Sequence, residues 1–186
     1  YYMPFNFDET AITGVKVITP RVFPDGRGAF LESYRRSDFV KAGITEDFIQ
    51  DNHSKSVRGV LRGLHYQKNP NAQAKLLRAV VGAIFDVVVD MRKGSPAYGK
   101  WIGVELSSEN HKIIYVPAGC AHGFVALSEK VEILYKVSSE YCKEAEAGVI
   151  WNDPTIGVAW PVKEPILSDK DLLLPPFEKA DNNFSF

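Results

Sequence analysis

The amino-acid sequence predicts an all-β fold, a sandwich or closed barrel, from three observations. Nine apolar, β-rich runs of five to eight residues follow one another, separated by glycine, proline and polar residues, the rhythm of strands joined by turns. Only two segments carry helix start and stop signals, and neither is long enough to cross over between parallel strands. The 186 residues are 45% hydrophobic and 12% aromatic, which suits one domain over residues 1–186 that buries about 70% of its unfolded surface.

The expected strands are residues 15–19, 29–33, 60–66, 76–81, 83–90, 100–106, 112–116, 123–127 and 131–137. Tyr1 and Tyr2 precede Met3 and are read as an appended extension outside the fold. The first helix is expected over residues 37–42, with Ser37 as N-cap and Gly43 just past the end. A serine oxygen can accept from free N–H groups of the first turn, and glycine tolerates the left-handed conformation that stops a helix. Residues 68–74 read as a polar loop, and a second helical turn is expected over residues 169–174. Beyond Trp160 the chain carries Pro161, Pro165, Pro175 and Pro176, so the tail should be ordered by docking and not by strand pairing. No repeat, low-complexity tract or linker divides the chain.

Composition excludes several function classes. Formal net charge is −1 and the basic residues are dispersed, which gives no electrostatic footprint for nucleic acid, so any bound anion should be small. The longest apolar stretch, residues 80–89, is interrupted by Asp86 and falls far short of the ~20 residues of a membrane helix. Near the N-terminus stand Asp8 and Glu9 instead of a basic region followed by an apolar core, which argues against a secretory leader. Cys120 and Cys142 form no C-x-x-C pair and are read as reduced thiols of a cytoplasmic protein.

Chemistry concentrates at residues 58–67, R-G-V-L-R-G-L-H-Y-Q. Strict strand alternation puts Arg62, Leu64 and Tyr66 on one face and Leu61, Gly63, His65 and Gln67 on the other. A histidine held among apolar neighbours is suited to abstract protons near neutral pH, although a strand histidine is also an ordinary hydrogen-bonded core residue. Metal-binding cupins need several His, Glu or Cys ligands at one barrel mouth. Here Gln67 stands where a second histidine of an H-x-H pair would be, and His53, His111 and His122 are isolated, so no metal is expected. No G-x-S-x-G, P-loop or G-x-G-x-x-G occurs, which removes support for acyl-enzyme, nucleotide-hydrolysing and dinucleotide chemistry. Acid–base groups are what is left: Arg58, Arg62, Lys75, Tyr135, Asp169 and Asp171. Arginine binds phosphate bidentately, and a lysine can face a developing oxyanion. Each also has an ordinary role as a solvated charge, a strand end or a packing residue.

Together these blocks resemble the thymidine diphosphate (dTDP)-4-dehydrorhamnose 3,5-epimerases over nearly the whole chain. The resemblance is carried by P-R-V-F-P-D-G-R-G-A-F-L-E-S at residues 20–33, Q-D-N-H-S at 50–54, and the block at 58–67. It continues with A-K-L-L-R-A-V-V-G-A-I-F-D-V-V-V-D at 74–90, G-S-P-A-Y-G-K-W at 94–101, V-P-A-G-C-A-H-G-F at 116–124, W-N-D-P at 151–154 and L-S-D-K-D at 167–171. It implies a metal-free, cofactor-free, cupin-like double-stranded β-helix, or jelly-roll barrel, with a few short helices. It implies a dTDP-linked 4-ketosugar as substrate and a homodimer in which N-terminal residues reach the partner's site. By that resemblance His65 is the base, Asp171 the carboxylate that orients it, Lys75 the enolate-stabilising lysine and Tyr135 the proton donor on the opposite face. Asp169 is close enough in sequence to compete with Asp171. Arg27 and Arg62 would hold the diphosphate, with Gln50, Asn52 and His122 nearby, and Phe30, Glu32 and Tyr141 would shape the nucleotide and sugar pockets. Cys120 departs from the bulky aromatic residue of many relatives, which bears on packing and not on catalysis.

These residue types suit epimerisation. A C4 carbonyl acidifies the hydrogens at C3 and C5; one base returning its proton to the same face only restores the starting sugar, so inversion needs a second donor such as Tyr135. The rival readings are an epimerase acting at one centre, C3 or C5, and a non-catalytic nucleotide-sugar-binding cupin.

Overall fold

The computed structural model describes residues 4–186, so Tyr1, Tyr2 and Met3 lie outside the described residues. The chain runs through strands β1 (Phe5–Glu9), β2 (Lys16–Pro20), β3 (Val22–Asp25) and β4 (Gly28–Leu31), then helix α1 (Arg36–Lys41). Strands β5 (Gln50–Val57), β6 (Leu61–Gln67), β7 (Lys75–Val81), β8 (Ala83–Asp90), β9 (Trp101–Ser107), β10 (Ile113–Val116), β11 (Cys120–Ala126), β12 (Lys130–Val137) and β13 (Glu146–Gly148) follow. Helix α2 (Asp169–Leu172) and a 3-10 turn, Phe177–Lys179, lie in the tail. Six strands pair in the order β1-β2-β10-β7-β12-β5, five in the order β13-β6-β11-β8-β9, and β3 with β4 forms a separate hairpin. All these ladders are antiparallel. The result is the expected all-β, cupin-like double sheet.

Burial explains the layering. Leu77, Ala79, Ile114, Val131 and Ile133 of the first sheet meet Ile84, Val88, Leu106, Phe124 and Ala126 of the second in one core. In β8, Val88 joins that core while Val87 and Val89 point the other way, under the tail. There Val149, Ile156 and Phe184 are buried with them, and Trp160 and Phe177 are partly buried. Asp153 pins this tail: its carboxylate accepts from the backbone N of Thr155, Ile156 and Phe177 at 2.8–3.0 Å. The proline-rich segment is held mainly by docking, as expected, although Ile166 and Ser185 also make single parallel bridges to Val60 and Lys93.

Each of the nine expected strands is present, and the sequence pattern does not predict β1, β3, β5 and β13. The informative miss is β5, Q-D-N-H-S-K-S-V. Its burial alternates with period 2, with Gln50, Asn52, Ser54 and Ser56 half-buried and Asp51, His53, Lys55 and Val57 exposed. A search for alternating apolar residues cannot see a strand whose inward face is polar because it lines a cavity. Helix α1 also starts differently from expectation: Arg35 is the N-cap, with no side-chain cap, and Ser37 lies inside the helix. Gly43, at φ +85°, sits just past the C-cap as foreseen.

A second correction concerns β6. His65 pairs with His122 of β11 and Arg62 with Phe124, so three steps on β6 match two on β11. That extra residue is a β-bulge, and it inverts the facing of the side chains beyond it. Gly63 sits within it at φ +128°, where an added Cβ would fall 2.5 Å from Gly123 Cα. Arg62 and His65 therefore face the same cavity, against the strict alternation expected from sequence.

Candidate active site

A cavity of about 280 Å³ opens between the two sheets. The five-stranded sheet contributes His65 and Arg62 from β6 and His122 and Phe124 from β11; the other contributes Ser54 from β5, Lys75 from β7 and Tyr135 from β12. Lys170 and Asp171 of α2 and its N-cap, Ser168, close one side. His65 and Tyr135 thus approach the cavity from opposite walls.

His65 Nε2 lies 2.5 Å from Asp171 Oδ1, which leaves Nδ1 as the ring nitrogen free to take a proton. Helix α2 places this carboxylate: the Ser168 Oγ accepts from Asp171 N at 3.2 Å, capping the helix one turn before the contact. Burial pushes the Asp171 carboxyl up, but the hydrogen bond and charge of His65, with help from Ser168 and Lys170, outweigh it and hold the group below the usual carboxylate range. Asp169 is exposed. The ambiguity between the two carboxylates is settled by position: Asp171 touches the histidine.

Lys75 lies beside this pair, its Nζ donating to His65 O at 3.3 Å. Burial pushes its ammonium down to about 8, against the opposing pull of Asp86 and Glu146. Tyr135 moves the other way: burial raises its phenol above the usual value, with Arg62 opposing, so it is protonated at neutral pH. A second histidine–carboxylate pair lies across the ladder, His122 Nε2 being 2.8 Å from Asp86 Oδ2. Asp86 is fully buried, burial raises its carboxyl against the influence of His122 and Lys75, and its Oδ1 has no hydrogen-bond partner. The arrangement combines a carboxylate-supported base, a lysine of depressed pKa and an opposed phenol, a set able to move protons at carbon next to a carbonyl.

Comparison with known proteins decides the family. The family model described as dTDP-4-dehydrorhamnose 3,5-epimerase matches residues 9–179. The dTDP-4-dehydrorhamnose 3,5-epimerase of Shigella flexneri is 51% identical over 177 residues, 95% of this chain and 98% of that protein. The chain belongs to the dTDP-4-dehydrorhamnose 3,5-epimerase family. Among solved structures, the epimerase of Elizabethkingia anophelis superposes with a TM-score of 0.92 at 43% identity, covering 97% of this chain and 100% of that one. The dTDP-6-deoxy-D-glucose-3,5-epimerase of Legionella pneumophila, solved with dTDP-4-keto-L-rhamnose, gives 0.91 at 41% identity and covers 94% of each chain. As a member of this family the chain is an isomerase.

Within the epimerase cavity the remaining sequence candidates separate into two groups. Gln50, Asn52 and Tyr141 line its continuation toward the loop between β12 and β13, together with Glu146 of β13 and Gln73 from the loop between β6 and β7. Arg62 is braced by Ser56 Oγ at 3.2 Å and Lys55 O at 3.1 Å, with further N–H groups left to meet an anion. Arg27, Phe30 and Glu32 do not line the cavity. Arg27 is 92% exposed and paired with Asp25 at 2.6 Å, Phe30 is 66% exposed against Phe23, and Glu32 pairs with Arg35. Arg58 is also outside, bonded to Glu129 at 2.7 Å. Sequence reasoning overlooked Ser54, Asp86, Phe124, Glu146, Ser168 and Lys170. A signal existed for Asp86, a lone carboxylate inside an apolar run, since a charge there must find a partner.

Proposed function

We propose that the chain epimerises C3 and C5 of dTDP-4-dehydro-6-deoxy-D-glucose, giving dTDP-4-dehydro-L-rhamnose, with His65 as base and Tyr135 as donor. The observation that carries this is the opposition of the two across one cavity, His65 backed by Asp171 and Lys75 beside them. His65 takes the proton α to the C4 ketone, Asp171 stabilises the imidazolium formed, and charge moves onto the C4 oxygen facing Lys75. Tyr135 reprotonates from the other wall, which inverts the centre. Arg62 holds the diphosphate, with Gln50, Asn52 and His122 nearby, and Tyr141 contacts the nucleotide sugar. No step calls for a metal or cofactor.

In deuterated water the product should carry deuterium at both C3 and C5 by proton NMR. Label at one carbon alone would leave a single-centre epimerase, and label at neither a binding protein. Tyr135→Phe should lower inverting turnover about 10²–10⁴-fold, as expected for loss of one acid–base group, while exchange on the His65 face persists. If the phenylalanine variant inverts at the normal rate, the donor is another group.

The reading extends to a second copy of the chain, in a cytoplasmic dimer of single-domain chains. Arg27, Phe30 and Glu32 sit on or beside the β3–β4 hairpin, away from their own cavity, and in the dimer they complete the partner's. Cys120 and Cys142 are free thiols, as a reducing compartment requires. Among the described residues no helix is long and apolar enough to cross a membrane. Sedimentation equilibrium should return twice the chain mass, and Arg27→Ala should raise KM about tenfold, the order of one charged hydrogen bond. A monomer at full activity would remove the dimer from the reading.

A further inference from the structure

Tyr141 presents an exposed aromatic ring, 56% accessible, from an irregular segment between β12 and β13. An exposed ring on such a segment is ordinarily mobile, yet here buried or half-buried amide side chains grip the backbone on both sides of it. Gln67, 4% exposed, donates from Nε2 to Glu140 O at 3.2 Å, and its Oε1 accepts from Cys142 N at 2.8 Å. Gln50 Oε1 accepts from Tyr141 N at 2.9 Å. Gln73 Nε2 donates to Ser139 O at 2.7 Å. The second donor of Gln67 reaches Asn71 O at 2.7 Å, joining this segment to the loop between β6 and β7. Tyr141 OH then donates to Glu146 Oε2 at 2.7 Å.

We propose that Gln67 is a positioning residue for nucleotide-sugar binding, acting through Tyr141. This rests on the reading above that Tyr141 contacts the nucleotide sugar. Gln67 stands two residues beyond His65, where a metal-binding cupin would carry a ligand, but its amide uses both donors and an acceptor on the backbone of two loops. A glutamine can make these three bonds at once; a neutral histidine has one donor and one acceptor and cannot. Fixing the Tyr141 peptide groups before substrate arrives removes an ordering cost from binding, so the role belongs to affinity and not to proton transfer.

The test measures Kd for dTDP by calorimetry, KM, kcat and the thermal midpoint in Gln67→Leu, Tyr141→Ala and the double variant. Gln67→Leu should raise Kd and KM about tenfold, the order of two lost hydrogen bonds, with kcat within about twofold of wild type. In the Tyr141→Ala background the same change should leave Kd unmoved, because a residue acting only through Tyr141 has nothing left to position. A Gln67→Leu protein with a lowered midpoint and unchanged Kd, or effects that simply add in the double variant, would overturn the proposal while Tyr141→Ala still weakened binding. Tyr141→Ala with unchanged Kd would instead sink the reading of Tyr141, and the positioning role with it. Should Gln67→Leu not fold, Gln67→Glu keeps the acceptor for Cys142 N and loses both donors, and the same expectations apply.

Discussion

Replacing His65 by glutamine should cut turnover by about 10²–10⁴-fold, the range for a positioned general base, in a protein that remains folded. Glutamine reaches as far as the imidazole Nε2 and can still donate to Asp171 Oδ1, which His65 contacts at 2.5 Å. That contact matters to the control, because Asp171 is a buried carboxylate held ionised chiefly by its histidine, and stripping its partner would add a stability loss to the catalytic one. Glutamine has no nitrogen able to accept a proton near neutral pH. Loss should therefore appear in kcat and in solvent deuterium uptake at C3 and C5 together, with KM little changed. A folded H65Q protein that exchanged both hydrogens at the normal rate would assign the base to another residue, His122 being the next histidine on the cavity wall.

Lys75→Met should lower turnover about 10²–10³-fold, the size of one lost oxyanion-stabilising donor at about 2.7–4 kcal/mol, and should also remove a pH dependence. Burial pushes the Lys75 ammonium down to about 8 although Asp86 and Glu146 favour its charge. In the proposed role the useful form of Lys75 is the charged one, so kcat/KM, which follows groups of the free enzyme, should fall as pH rises through about 8 in the wild type. Stability should move oppositely. The unfolded chain carries this proton up to the ordinary lysine value of 10.5, so between about 8 and 10.5 it binds more protons than the folded chain and stability rises with pH. Methionine, nearly the same shape without the charge, should flatten both trends. Measuring kcat/KM and the thermal midpoint between pH 7 and pH 10.5 checks them; an unchanged alkaline limb in K75M would place the titrating group elsewhere.

Both predictions use residues that are legible without a structure, since the histidine and the lysine lie in blocks resembling a known family. Their support was less legible. Gln67 looked like a failed metal ligand and is instead engaged with the backbone of two loops. Asp86 looked like an interruption of an apolar run and is paired with His122. Strand β5 went unseen because its inward residues are Gln, Asn and Ser, which a hydrophobic pattern treats as loop. In each case a polar residue faces the interior, and for Gln67 and Asp86 partners come from a distant part of the chain: Gln67 bonds residues 140 and 142, and Asp86 bonds residue 122.

Local patterns in the chain were sufficient for the all-β class, the nine apolar strands and the docked tail, and the motif blocks for naming His65, Lys75 and Tyr135 as candidates by resemblance, because strand alternation, turn residues and motif blocks are written into short stretches. Three things depended on tertiary contacts. Asp171 and not Asp169 meets His65, because Ser168 sets the phase of a short helix against β6. Arg62 shares the cavity with His65, because one extra residue in β6 reverses the facing that alternation requires. Arg27, Phe30 and Glu32 stand apart from their own cavity, because the hairpin beside them pairs within itself and belongs to neither large sheet. Helix phase, strand register and the placing of a hairpin are relations between segments, and no single segment encodes them.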